Sequence, residues 1–278
     1  MTLAGKRLSI AFPDTVLEEH DSLREKTVKL GQVARACSVF GVDDVLVFRD
    51  PRGGGESGLI RRVLEYLETP QYLRKRLFPL DESLRYAGLL PPLRIPSHKP
   101  KVPVETLRPG DFREGAVLED GATVDIGLDR PLVLRQRVKG ARRITVKITS
   151  VSPLQGVPAD RSQPREYWGY AVEERSVEQV LSDQRFPLKI ATSRLGVPLA
   201  ACLGGLRGRV TDGSQGIMAI FGSPSRGLFD LIGDLPRRVE FVVNLFPEQH
   251  VATVRTEEAI SSALYLLQVL SIPQNTKV

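Results

Sequence analysis

Apolar and polar positions follow two different rhythms along this chain. Residues 6–12 hold the run Leu8-Ser9-Ile10-Ala11-Phe12, closed by Pro13 and Asp14, and predict a strand. Over 20–40, Leu23, Val28, Leu30, Val33, Ala34, Cys37 and Phe40 recur at helical spacing, Arg24, Glu25, Lys26, Lys29 and Arg35 charge the outer face, and Gly41 is a natural stop. Val45-Leu46-Val47-Phe48 is a continuous apolar run of the kind buried on both faces of a parallel sheet, so residues 6–48 read as one βαβ unit. Residues 59–78 predict a helix in two pieces, interrupted at Thr69-Pro70 because a residue before proline is pushed out of the helical region.

Near Tyr86 the rhythm changes. The proline-rich stretch 88–100 suits neither a helix nor a central strand. Short β-type runs follow at 115–118, 122–127, 132–134 and 143–148, with turn residues between them, and predict a small barrel. The α/β rhythm returns with a strand over 168–172, a helix capped by Ser176 and running to Ser182, and the apolar run 186–191, which leads into a loop over 192–196. Residues 200–208 are apolar but broken by glycine.

Two apolar strands then end in loops rich in glycine, proline and small polar residues. Gly216-Ile217-Met218-Ala219-Ile220 runs into Phe221-Gly222-Ser223-Pro224-Ser225-Arg226-Gly227-Leu228, and 239–245 runs into 246–255. Open α/β sheets place their ligands at such carboxyl ends. Thr256 is a candidate N-cap for the last helix, Glu257 and Glu258 complement its positive end, and Ala259, Ile260, Ala263, Leu264 and Leu267 form its inner face.

Composition adds little except in one place. The 278 residues carry a formal charge of +6, compatible with an acidic partner such as RNA. Most of that excess lies in 86–170, where a basic small barrel is a plausible oligonucleotide platform. Cys37 and Cys202 sit in apolar surroundings and read as buried free thiols, and His20, His98 and His250 show no metal spacing, so no metal is expected. No run is long enough for a membrane span and no signal peptide is visible, which reads as a cytoplasmic protein. Gly53-Gly54-Gly55 is not a phosphate loop, because no Gly-Lys-Ser/Thr follows it, and no Gly-x-Gly-x-x-Gly follows the first strand, which disfavours dinucleotide-type sites.

The series Phe221, Gly222, Ser223, Gly227, Leu228, then Asn244, Pro247, Gln249, then Thr253, Arg255, Thr256, Glu257, Glu258, Ala259 resembles the knotted SPOUT-class RNA methyltransferases. It is most similar to their archaeal and eukaryotic subfamily with an inserted OB-like barrel. The run 31–36, Phe40-x-Val42-Asp43, Val47-Phe48 and the loop 192–196 extend the resemblance to both ends of the chain. The resemblance implies an α/β fold: a trefoil-knotted SPOUT methyltransferase domain formed by 1–87 and 166–278, with a small OB-like β-barrel inserted over 88–165. It implies a homodimer that uses S-adenosylmethionine on structured RNA, ribosomal RNA above all, with uridine N3 as acceptor. It places the cofactor at Thr192, Gly196, Phe221, Gly222, Ser223, Gly227, Asn244, Leu245, Pro247, Gln249, Thr253, Thr256 and Ala259. Arg255 and Glu257 are the candidates for chemistry: an arginine can stabilise a uracil anion, and a carboxylate can assist loss of its proton. A salt bridge from Arg255 to Glu257 or Glu258, and simple helix-end charge for the two glutamates, are the structural alternatives. The rival function is a non-catalytic RNA-binding or assembly factor on the same fold.

Overall fold

The computed structural model describes residues 5–212 and 215–272. In chain order, β1 (Arg7–Pro13) is buried from Leu8 onward and leads to α1 (Leu23–Phe40) and β2 (Asp44–Phe48). Ser22 caps α1 by accepting the Glu25 N–H at 3.2 Å. Gly41 ends it in the left-handed region at φ 69°, where a side chain would be strained. The expected break falls between α2 (Ser57–Glu68) and α3 (Gln71–Leu77). Arg74 caps that break, donating to Thr69 O at 2.9 Å and Leu67 O at 3.0 Å.

Five short strands follow, β3 (Phe112–Val117), β4 (Thr123–Asp125), β5 (Leu132–Leu134), β6 (Arg143–Val151) and β7 (Leu154–Ala159). The chain then forms β8 (Ala171–Arg175), α4 (Val177–Leu181), β9 (Leu188–Pro198), α5 (Leu199–Thr211), β10 (Gly216–Ile220), α6 (Leu228–Leu231), α7 (Leu235–Arg238), β11 (Phe241–Asn244) and α8 (Thr256–Ser271). Ser176 starts α4 with a reciprocal pair of bonds to Gln179.

The chain divides into two compact units. One comprises 1–65, 83–91 and 170–278, the other 66–82 and 92–169. The sequence reading assigns 66–82 to the flanking halves, but these residues group with the barrel because Leu73 and Leu77 of α3 pack against Ala116. The first unit holds a six-stranded, all-parallel sheet in the order β11-β9-β10-β1-β2-β8. Its core includes Ala11, Leu46, Phe186, Met218 and Ile220. α8 packs on α1, α5 and β10.

The second unit is a closed barrel, β3-β4-β5-β7-β6, filled by Val124, Ile126, Leu132, Val146, Ile148 and Leu154. Its closing strand β7 is not among the runs read from sequence, since Gly156 and Pro158 obscure its alternation. A buried charge cluster ties this unit together. The Glu114 carboxylate accepts from Arg143 Nε and Trp168 Nε1, both at 2.6 Å, and from Thr145; Arg143 Nη1 reaches Glu68 Oε2 at 2.6 Å. Burial alone would raise the Glu114 carboxyl, but Arg143 and Arg161 outweigh it and hold it below the usual range. The strand expected at 168–172 starts later, at Ala171, because Gly169 turns the chain at φ 99° and Trp168 packs in the barrel unit. Cys37 is buried as expected, whereas Cys202 lies half-buried on α5. Among the described residues no helix is long and apolar enough to cross a membrane.

Candidate functional site

The carboxyl ends of β9, β10 and β11 meet at one cavity of about 290 Å³ in the sheet unit. The first wall comes from β9. Ala191 pairs with Val242 and Val197 with Val243, so five residues of β9 stand opposite a single step of β11. Residues 192–196, expected as a loop, are thus an excursion inside one long strand, and Thr192 to Leu195 line the cavity. Gly196 does not line it. A β-carbon there would lie 2.7 Å from Val242 O and 2.8 Å from Val243 C, so glycine is required for the close approach of two backbones.

The second wall is 221–229. Phe221 and Leu228 are buried and close its base, and Gly222, Ser223, Ser225 and Gly227 line it. Neither glycine has a positive φ. Gly222 is needed for space, since a β-carbon would meet Arg226 O at 2.8 Å; at Gly227 the nearest atom is Asp230 Oδ2 at 3.8 Å. The turn is held from two other strand ends. After β1, Glu18 Oε1 accepts from Ser223 Oγ at 2.7 Å and from the Ser225 N–H at 3.1 Å. Burial raises the Glu18 carboxyl, but the bonds from Ser225 and Ser223 overcome this and hold it below the usual glutamate range. After β2, the fully buried Asp50 carboxylate takes Arg226 Nη1 at 3.0 Å and Nη2 at 2.5 Å. Neither Glu18 nor Asp50 was singled out from sequence; their only signal is an acidic residue just past a buried strand.

The third wall follows β11. Asn244 Nδ2 donates to Arg194 O at 3.0 Å, joining the β9 excursion to this loop, and its Oδ1 accepts the Phe246 N–H at 2.9 Å. Gln249 Nε2 closes the loop on Val251 O at 2.9 Å. Leu245, Gln249, Thr253, Thr256 and Ala259 line the cavity, as do Phe246 and Val254, which the sequence reading did not select; Pro247 does not. Thr256 is not the N-cap. Arg255 holds that position, and the Thr256 hydroxyl donates to Gly222 O at 3.3 Å, linking the second and third walls.

The two candidates for chemistry part company. Glu257 is buried away from the cavity, its Oε2 lying 3.1 Å from Nζ of the buried Lys29 on α1. Arg255 is exposed, between two residues that line the cavity. Neither proposed salt bridge forms: Glu258 Oε2 accepts the Arg255 backbone N–H at 2.9 Å, and Glu257 is taken by Lys29. Among the described residues the Arg255 guanidinium has no partner.

The cavity therefore offers a buried apolar base, walls that carry small hydroxyls, the exposed Arg194 in its lining, and Arg255 at its rim. Its size is near the lower end for small-molecule sites. Small residues at Gly222 and Ala259, apolar surface from Phe221 and Leu228, and hydroxyls at Thr253 and Thr256 suit an adenosine-bearing ligand.

The sequence profile of the family described as "Putative RNA methyltransferase" matches residues 7–267. A Halobacterium salinarum protein is 34% identical over 282 residues, covering 92% of this chain and 96% of that one. The 28S rRNA (uridine-N(3))-methyltransferases of Mus musculus and Homo sapiens are each 31% identical, covering 94% of this chain and 76% and 77% of theirs.

Proposed function

This chain belongs to that RNA methyltransferase family, and from that premise we propose that it transfers a methyl group from S-adenosylmethionine to N3 of a uridine in ribosomal RNA. The observation that carries the reading is the convergence of the three strand-end loops on one cavity, with the unpaired Arg255 beside it. The relatives named as uridine-N(3) methyltransferases of 28S rRNA support the choice of acceptor.

S-adenosylmethionine supplies an electrophilic methyl group; the protein's part is to bind, orient and manage charge. Thr192, Phe221, Gly222, Ser223, Gly227, Asn244, Leu245, Gln249, Thr253, Thr256 and Ala259 hold the cofactor, while Gly196 shapes the wall and Pro247 sits outside it. Uracil N3 loses its proton to solvent water, the Arg255 guanidinium stabilises the anion that forms, and the freed N3 electron pair takes the methyl group. Glu257 anchors α8 to α1 through Lys29 rather than acting on the base.

The domain is of the knotted SPOUT type. Supporting this, β9, β10 and β11 lie in the sheet as β11-β9-β10, so the β10–β11 connection passes over β9 before α8 returns to α1. The working form is a homodimer. In its favour, Leu195, Val197, Leu203, Val251, Tyr265 and Val269 leave more than a third of their surface exposed, on β9, on α5, beside the third wall and on α8.

Calorimetry with S-adenosylhomocysteine, followed by single-turnover transfer to ribosomal RNA and mass-spectrometric location of the methyl group, tests the proposal. Micromolar cofactor binding and a modified uridine N3 are expected. RNA binding without cofactor affinity would overturn it in favour of a binding-only factor.

A further inference from the structure

The barrel unit has a cleft of about 380 Å³, lined along one side by residues 99–112 and along the other by 164–168. Phe112, half-exposed at the start of β3, stands edge-on to Trp168 with ring centroids 6.3 Å apart. Trp168 is buried and pinned by its Nε1 bond to Glu114, so the Phe112 ring has a rigid backing. The cleft wall is equally fixed. The buried Arg113 guanidinium donates to Pro100 O and Ile126 O, each at 3.0 Å, tying the 100-segment to the barrel.

Cations surround this ring pair. Lys147, opposite Phe112 in the β3–β6 ladder, is exposed and places Nζ 5.8 Å from the Phe112 centroid. Arg165 is exposed, and its guanidinium has no acidic partner among the described residues. Two carboxylates also line the cleft, and both are engaged: Glu166 by Lys99 at 3.1 Å, and Asp111 by the Arg108 N–H at 2.8 Å.

A fixed, half-exposed aromatic ring beside exposed cations is the chemistry that recognises a single-stranded nucleotide: the base stacks on the ring and the phosphate meets the cations. We infer that this cleft is a second RNA-binding site, which takes an unpaired nucleotide of the substrate RNA outside the methylated position, with Phe112 as the stacking platform and Arg165 and Lys147 as phosphate contacts. The inference rests on the RNA methyltransferase reading above and names a contact which that reading does not require.

The test exploits Trp168, the only tryptophan in the chain. Full-length protein is titrated with a short single-stranded oligouridylate, following tryptophan emission, with filter retention as an independent measure of binding. Saturable quenching is expected. Phe112→Leu should weaken binding about tenfold, and Arg165→Ala should lower the slope of log affinity against log salt by about one. Arg165 is exposed, so its variant tests the site even if Phe112→Leu melts early. Both should bind S-adenosylhomocysteine as the parent does. Intact RNA retention with unchanged emission, and variants that bind like the parent, would overturn the cleft alone. No retention of any RNA by the parent would overturn both the cleft and the methyltransferase reading.

Discussion

Lys29 and Glu257 allow a sharp separation of structure from chemistry. The Lys29 side chain is 1% exposed and that of Glu257 8%, and their charged atoms are 3.1 Å apart across the α1–α8 packing. Lys29 has a second partner, the more exposed Glu19, whereas Glu257 has no other cation among the described residues. The two deletions are therefore unequal. Lys29→Met leaves a buried carboxylate unpaired and should cost about 3–5 kcal/mol. Glu257→Gln removes the charge opposite Lys29, which still retains Glu19, and should cost about 1–2 kcal/mol. For a chain of this size about 2 °C accompanies each kcal/mol, so melting should fall about 6–10 °C and 2–4 °C respectively. The double variant should be more stable than Lys29→Met alone, since no buried charge is then left over. Scanning calorimetry on the sheet unit's transition measures these shifts, and single-turnover transfer well below the transition measures the chemistry. Transfer by folded Glu257→Gln should be near the parent's. An unchanged melting point with transfer down about a hundredfold would return Glu257 to the active site and refute the packing argument.

Other consequences follow from the same geometry. Arg255→Ala should keep stability within about 0.5 kcal/mol and retain cofactor affinity, yet lose about a hundredfold in transfer; Lys at that position should restore only part of the rate, as single-turnover assays would reveal. Gly196→Ala forces a β-carbon against the β11 backbone and should cost about 1–3 kcal/mol with weakened S-adenosylhomocysteine binding, while Gly227→Ala meets no close protein atom and should leave the melting temperature nearly unchanged. The depressed Glu114 carboxyl stabilises the barrel unit above its unfolded value of about 4.5 and ceases to do so as pH falls through its lower folded value. The barrel transition should therefore be insensitive to this group near neutrality and drop on acidification below about pH 4.5, a dependence that Glu114→Gln should reduce.

Much of this molecule is legible in the sequence because it depends on neighbours a few positions apart. The β1-α1-β2 unit follows from apolar runs and from the stop at Gly41, and the break at Pro70 follows from proline's own geometry. The loop residues after β10 and β11 are visible as one ordered series, and most of them line the cavity. What sequence could not supply are contacts whose partners are far apart in the chain. Ser225 meets Glu18 across 207 positions. The 192–196 excursion exists only because β11 pairs on both sides of it. Glu257 carries the residue type of a general base, and only the docking of α8 on α1 turns it toward Lys29. The closing barrel strand β7 has a glycine and a proline that hide its periodicity, and becomes a strand because β5 and β6 offer it hydrogen bonds on both edges. Local periodicity and capping belong to contiguous residues and so can be read in order; ion pairing, backbone approach and strand closure depend on which distant segments the fold brings into contact.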